Sequence, residues 1–397
     1  MSRLSRREML RRTVRGATGM GLAGVLAASS GGSEKGPGAD PAPAGFFTVG
    51  QRNGHWWFVA PEGDPFFSIG MNHVDPATLR YPDNVHVWRE VYGGSMERWL
   101  KEAVRRDLLS WGFNTLGWAQ EVVTRTPTNH RHSRNFTYDE YQWLEMPYCH
   151  MLPFADFHQW EAETRHPDFF SDGFEQWCDY VARAECAQFA DDPKLIGYFY
   201  IDCPTWVHTR PENEWKGPLF DPELLKTESG RRRLLELAGR YYQVTHDAIR
   251  RYDPHHLILG DRYEAKQPVP EEVLRAAQPN IDVLSFQYFA TPDRICPDFE
   301  RWHELTGLPI LLADASVPGA RPGVPSSKYA PNYERMIRAL RETPCCVGWH
   351  LCGAYLENTA RRRGLRNRQN EIDLTLVEAV RKANEETTRW VNQSTGR

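Results

Sequence analysis

Eight short apolar runs, each followed by a segment with helical spacing, constrain this chain more than any other feature. The runs fall at residues 66–70, 115–118, 148–152, 196–201, 257–260, 283–287, 310–313 and 347–351. Each has the length of a strand buried on both faces, as in parallel sheets covered by helices. Between runs, Phe174, Trp177, Cys178 and Val181 recur at i, i+3, i+4 and i+7. Leu234, Leu237, Ala238 and Tyr241 do the same, continuing to Thr245, Ala248 and Ile249. Eight such alternations predict an α/β fold, a closed parallel (β/α)8 barrel of the TIM type. The alternative is an open doubly wound sheet, but no GxGxxG or P-loop pattern follows any run to support a nucleotide-binding version.

Ahead of the first run, residues 46–49 and 56–59 flank Arg52-Asn53-Gly54, where Asn-Gly supplies the positive φ angles of a tight turn. A short N-terminal β-hairpin is expected there. The first residues carry Ser5-Arg6-Arg7-Glu8-Met9-Leu10-Arg11, then an apolar Gly/Ala-rich stretch at 17–28 and small residues at 29–32. That is the layout of a twin-arginine export signal, too short and glycine-rich to remain as a membrane span. The expected organisation is a signal peptide at 1–30, a Pro/Gly/Ala-rich linker at 31–44 and one barrel domain at 45–397, in a periplasmic or secreted protein.

A net charge of −4 with 25% charged residues is a mixed surface without the basic footprint of a nucleic-acid binder, so no nucleic-acid partner is expected. The eight cysteines form no CxxC pair and show no regular spacing, which predicts neither zinc site nor disulfide framework. Burial as small hydrophobic groups is expected for most of them.

In a (β/α)8 barrel the chemistry sits at the C-terminal ends of the strands. The residues there are Asn72 and His73; Trp118 and Glu121; His150 and Asp156; Asp202 and Cys203; Asp261, Arg262 and Glu264; Gln287 and Tyr288; Asp314; and Trp349 and His350. This acidic, polar and aromatic rim suits glycoside cleavage, in which carboxyl groups protonate a leaving oxygen and stabilise an oxocarbenium-like centre. The fourteen tryptophans also suit stacking on sugar rings.

Four stretches carry a nameable resemblance: Gly54-His55-Trp56-Trp57-Phe58-Val59-Ala60-Pro61-Glu62-Gly63-Asp64-Pro65-Phe66-Phe67-Ser68-Ile69-Gly70, Gly112-Phe113-Asn114-Thr115, Ile196-Gly197-Tyr198-Phe199 and Val347-Gly348-Trp349-His350. Together they resemble the β-agarase-like branch of the clan A glycoside hydrolases, over about residues 45–390. The resemblance implies a retaining hydrolase with a proton donor after the fourth strand and a nucleophile after the seventh. It also implies that Tyr288 supports the nucleophile and that Trp349 lines the subsite beside the scissile bond. The chain departs from that pattern at both carboxylates. Asp202-Cys203-Pro204 stands where Asn-Glu is expected, and Asp314 stands where the second Glu is expected.

Strict register puts Cys203 in the donor's place, but a thiol with a pKa of about 8.5 is a poor donor. Asp202, one residue earlier, is the better acid, although it also fits the orienting Asn slot, which would leave Glu121, Asp261 or Glu264 as donor. Asp314 leads as nucleophile or base, with a helix N-cap before Ala315-Ser316 as its structural alternative. His73, His150 and His350 lie far apart in sequence and are read as substrate-binding or core groups; neither metal nor cofactor is expected. The His130/His132 and His255/His256 pairs are read as solvated, and Arg361 to Arg363 as an exposed run with the option of meeting an anionic sugar. The expected activity is hydrolysis of an extracellular poly- or oligosaccharide by Asp314 and Asp202. The alternatives are a carbohydrate-binding barrel that has lost catalysis and a carbohydrate lyase on the same fold.

Overall fold

A computed structural model describes residues 45–126, 129–155, 157, 167–207, 219–359 and 361–394. The expected signal peptide and linker, and Asp156, lie outside the described residues. In chain order the elements begin with β1 (Thr48–Arg52), β2 (His55–Val59), β3 (Pro65–Phe66) and β4 (Ser68–Met71). Next come α1 (Met96–Trp99), α2 (Arg106–Ser110), β5 (Thr115–Leu116), β6 (Gln120–Thr126), β7 (Asn129–Asn135), α3 (Tyr138–Leu144) and β8 (Tyr148–Met151). Then follow α4 (Asp172–Glu185), β9 (Leu195–Asp202), α5 (Glu228–Tyr252), β10 (Leu257–Glu264), α6 (Glu271–Ala277) and β11 (Leu284–Gln287). The last are α7 (Pro292–Thr306), β12 (Ile310–Ala315), α8 (Pro331–Glu342), β13 (Cys346–Leu351), β14 (Ala354–Leu356), β15 (Gly364–Arg366) and α9 (Leu374–Ser394).

Strands β4, β5, β8, β9, β10, β11, β12 and β13 close into one parallel barrel in sequence order, each matching one of the eight apolar runs. The expected hairpin is β1–β2, with Gln51 opposite Trp56 and Arg52 opposite His55 around Asn53 and Gly54, whose φ angles are 54° and 76°. Phe47 and Phe58 from this hairpin pack with Leu257, Val283, Leu311 and Val347 from the barrel strands, so the hairpin sheet closes the end of the barrel where those strands begin. The second apolar layer lies between barrel and helices. In α4, Phe174, Cys178 and Val181 are buried as spaced, but Trp177 is 46% exposed, with its Nε1 donating to the Phe154 carbonyl at 3.0 Å. No helix among the described residues is long and apolar enough to cross a membrane.

Simple alternation governs some strand ends. In β8, Cys149 and Met151 join the inner core and His150 turns out; in β11, Val283 lies inside, Gln287 reaches into the barrel mouth, and Phe286 and Tyr288 turn out against Trp302. Three other strands slip phase. In β10 the pairing with β9 shifts on either side of Gly260, whose φ of 65° a side chain would resist. Leu257 and Leu259 face inward before the slip, and after it Asp261 faces α5 while Arg262 enters the barrel. A shift in β12 opposite Gln287 brings Asp314 inward beside the inward Ala313. A shift in β13 after Cys346 turns Trp349 out and His350 in.

Candidate active site

The inward groups converge on Arg262. Its guanidinium has no exposed surface and lies over the Trp118 ring, 4.4 Å from the centroid. Nη1 stands 3.3 Å from Asp202 Oδ1 and Nη2 stands 3.4 Å from Asp314 Oδ2, so one cation serves both carboxylates. Gln287 Nε2 donates to Asp202 Oδ1 from the neighbouring barrel strand but one. Asn72, at the end of β4, donates from Nδ2 to Asp314 Oδ1 at 2.6 Å and to the Ala313 carbonyl at 2.8 Å, while its Oδ1 accepts from the Trp118 backbone at 2.8 Å. Asp314 is not a helix N-cap: it lies within β12, and the next helical turn starts only at Ser326. Burial alone would raise the Asp314 pKa, but the Arg262 charge, the nearby His73 ring and the hydrogen bond from Asn72 outweigh it and hold the carboxyl well below its usual range.

His73 completes the centre. It has a φ of 56°, and Cys203, at the end of the fourth barrel strand, has a φ of 48°. Two side-chain-bearing residues in the left-handed region at one barrel mouth mark strain held by the surrounding structure. His73 Nε2 lies 3.7 Å from Asp314 Oδ1 and 3.6 Å from Cys352 Sγ, and Arg361 donates to its Nδ1 at 3.1 Å. Burial, then the Arg361 charge, lower the His73 pKa to about 3. Below this layer, His350 Nε2 meets Ser68 Oγ at 2.9 Å, and burial followed by the Arg262 charge lowers its pKa to about 3 as well. A side chain on Gly117 would stand 2.1 Å from Asn72 Oδ1 and 2.8 Å from His350 Nδ1, so glycine is what lets these two polar groups pack under the site.

The structure thus brings together Asn72, His73, Trp118, Asp202, Arg262, Gln287 and Asp314, with His350 beneath them. Cys203 closes the strand end, fully buried, its backbone N–H donating to the Arg262 carbonyl at 3.0 Å. The other expected site residues are committed elsewhere. His150 lies between Tyr141 and Glu185, both at 3.1 Å, on the helix side of β8. Tyr288 donates to Asp298 in α7 at 2.6 Å, and burial with that bond pushes its pKa up to about 12. Trp349 packs on Tyr333 of α8 and donates to the Ala315 carbonyl at 3.0 Å. The subsite roles implied for Tyr288 and Trp349 therefore do not fit their outward placement. Glu121, on β6, is taken by Arg80 at 2.8 Å and Arg134 at 3.0 Å. Glu264 Oε1 accepts from the Lys266 backbone at 3.2 Å. Sequence reasoning missed Cys352 and Arg361 as partners of His73; both follow the eighth strand, in a stretch with no periodic signal.

Asp261 is the clearest correction, since the slip at Gly260 takes it out of the mouth. Its carboxylate accepts from Tyr241 at 3.1 Å and from Tyr242 at 2.6 Å. Burial raises its pKa from 3.8 to about 6, against the opposing effect of the tyrosine hydrogen bonds. The folded chain thus keeps a proton that the unfolded chain has lost, and the stabilisation is full below pH 4 and lost as pH rises through 6. The loss amounts to roughly 3 kcal/mol for about two pKa units. Denaturation of wild type and Asp261→Asn across pH 4–7.5 should show this downward component in the wild type only; equal slopes would assign it elsewhere.

No known protein family and no curated protein matches the sequence. The fold, however, has solved counterparts. The agarase AgWH50C superposes with a TM-score of 0.66 at 18% identity, over 87% of this chain and 64% of that one. An exo-β-agarase gives 0.67 at 15% identity, over 86% and 65%. The fold is that of an agarase-like glycoside hydrolase. The chain spans just under two thirds of the length of these two agarases. A β-glucuronidase from an uncultured Clostridium matches less closely, with a TM-score of 0.52 at 14% identity over 86% of this chain and 53% of that one. In a (β/α)8 barrel the mouth just described is the end at which ligands bind.

Proposed function

We propose that the protein is a glycoside hydrolase acting on an extracellular poly- or oligosaccharide, with Asp314 as the carboxylate that faces the anomeric carbon. One observation carries this reading. At the end of the seventh barrel strand Asp314 is fixed by Asn72 from the first strand, beside His73 and Arg262, in a barrel of glycosidase type. Among the described residues Arg262 Nε is buried without a hydrogen-bond partner, and Nη1 has only its ion pair with Asp202. A donor left open at a barrel mouth suits a sugar hydroxyl. Asp202 is the proposed acid, and its side-chain contacts among the described residues, with Gln287 and Arg262, are with donor groups, so it must be freed from Arg262 to protonate a leaving oxygen. The Arg6-Arg7 leader supports an exported location; with both residues replaced by Lys, the chain should stay in the cytoplasm.

A second reading, sugar binding without turnover, is favoured by Arg262 itself, which stands within 3.4 Å of both carboxylates where the scissile oxygen would have to sit. Leaving-group chemistry tests the first reading. A 4-nitrophenyl glycoside departs without protonation, whereas an alkyl glycoside needs the acid, which contributes about 10²–10⁴-fold. We expect Asp202→Asn to slow the alkyl glycoside roughly 100-fold more than the aryl glycoside; an equal effect on both would remove Asp202 as the donor.

A further inference from the structure

Beyond hydrolysis, we propose that His73, Asp314 and Cys352 form a binding site for one zinc-type cation, with a fourth position left open. The three residues come from the ends of β4, β12 and β13, and their ligand atoms all lie within 4.8 Å of one another. Cys352 Sγ and Asp314 Oδ1 stand 3.6 Å and 3.7 Å from His73 Nε2. A tetrahedral zinc ion with bonds of about 2.0–2.3 Å places neighbouring ligand atoms roughly 3.3–3.8 Å apart; both distances from His73 already match, and the Cys352–Asp314 pair, within 4.8 Å, has at most about 1 Å to close. A nitrogen, an oxygen and a sulfur suit a borderline-soft cation rather than calcium or magnesium, which take oxygen ligands. On binding, the Cys352 thiol releases its proton to solvent, and thiolate plus carboxylate balance the dication. Asn72, bonded to Asp314 Oδ1 at 2.6 Å, orients the carboxylate ligand.

Arg361 opposes the ion. A guanidinium only donates, so its bond to His73 Nδ1 places the ring proton on Nε2, the nitrogen the ion requires. Binding must therefore displace Arg361 and move that proton to Nδ1. Removing the arginine should tighten the site, the reverse of what a merely structural role for Arg361 predicts.

Cobalt(II) is the probe, titrated into the full chain after reduction and chelation. The expected result is a thiolate-to-cobalt charge-transfer band in the near ultraviolet that saturates at one equivalent. The band should be absent in Cys352→Ser and in His73→Gln, whose folding is checked by circular dichroism, and it should saturate at 5- to 10-fold lower free cobalt in Arg361→Ala. The proposal is overturned if no band forms, if the band persists in Cys352→Ser, or if Arg361→Ala weakens it. Because the ion would occupy Asp314, zinc should inhibit glycoside cleavage and a chelator should restore it; this arm alone rests on the hydrolase reading. One cobalt bound by a chain that cleaves no glycan would leave the metal site standing and remove the hydrolase, and cleavage without cobalt binding would do the reverse.

Discussion

Replacing Arg262 by methionine is expected to destabilise the fold by about 3–5 kcal/mol, because it leaves two buried carboxylates facing each other without their shared cation. Asp202 and Asp314 are each 3% exposed and Arg262 is fully covered, so water reaches none of the three freely enough to substitute for the lost charge. Methionine keeps most of the volume and can lie on the Trp118 ring as the guanidinium does, which confines the loss mainly to charge and hydrogen bonds. The deficit should shrink as pH falls, because Asp314 without the Arg262 charge no longer resists protonation. It should also largely disappear when Asp202→Asn and Asp314→Asn are added. Urea denaturation of wild type, Arg262→Met and the triple variant measures this, and a deficit below about 1 kcal/mol in Arg262→Met would show that the arginine is not the counterion of the pair.

Asp314→Asn is expected to lower kcat on the order of 10³-fold or more while saccharide affinity stays within a few-fold of wild type. The substitution removes one charge and adds no bulk, so a loss confined to kcat would mean that the carboxylate acts in the transition state rather than in binding. An amide at this position can still offer its oxygen to Asn72, which keeps the strand end in place. Asn72→Ala should reproduce part of the effect, because the Asp314 carboxylate then loses its 2.6 Å donor. An Asp314→Asn chain with wild-type kcat would exclude the residue from the chemistry.

The barrel was legible because each of its strands is a continuous apolar run, a pattern that depends only on burial from both sides. Side-chain direction at the strand ends was less so. The outward turns of His150 and Tyr288 follow from plain alternation with Cys149, Met151 and Gln287. The inward turns of Arg262, Asp314 and His350 each follow a slip in strand pairing. Two of these slips leave a mark in the sequence, a glycine within an apolar strand: Gly260 in β10 and Gly348 in β13. The β6–β7 hairpin was not foreseen, since Asn129-His130-Arg131-His132-Ser133-Arg134-Asn135 reads as a polar loop. In the sequence Arg262 is one of many polar rim residues. Its position between the two carboxylates depends on three strands at once, and no local pattern encodes it.

The most direct test of the account is release of reducing ends by the purified wild-type chain from a panel of agar-type, neutral and uronate-containing glycans. The account predicts new reducing ends from at least one glycan and none when Asp314→Asn is used at the same concentration. Tight binding of a glycan by the wild-type chain with no reducing ends released would contradict it, and would leave the barrel as a saccharide-binding protein whose carboxylates serve only to hold Arg262.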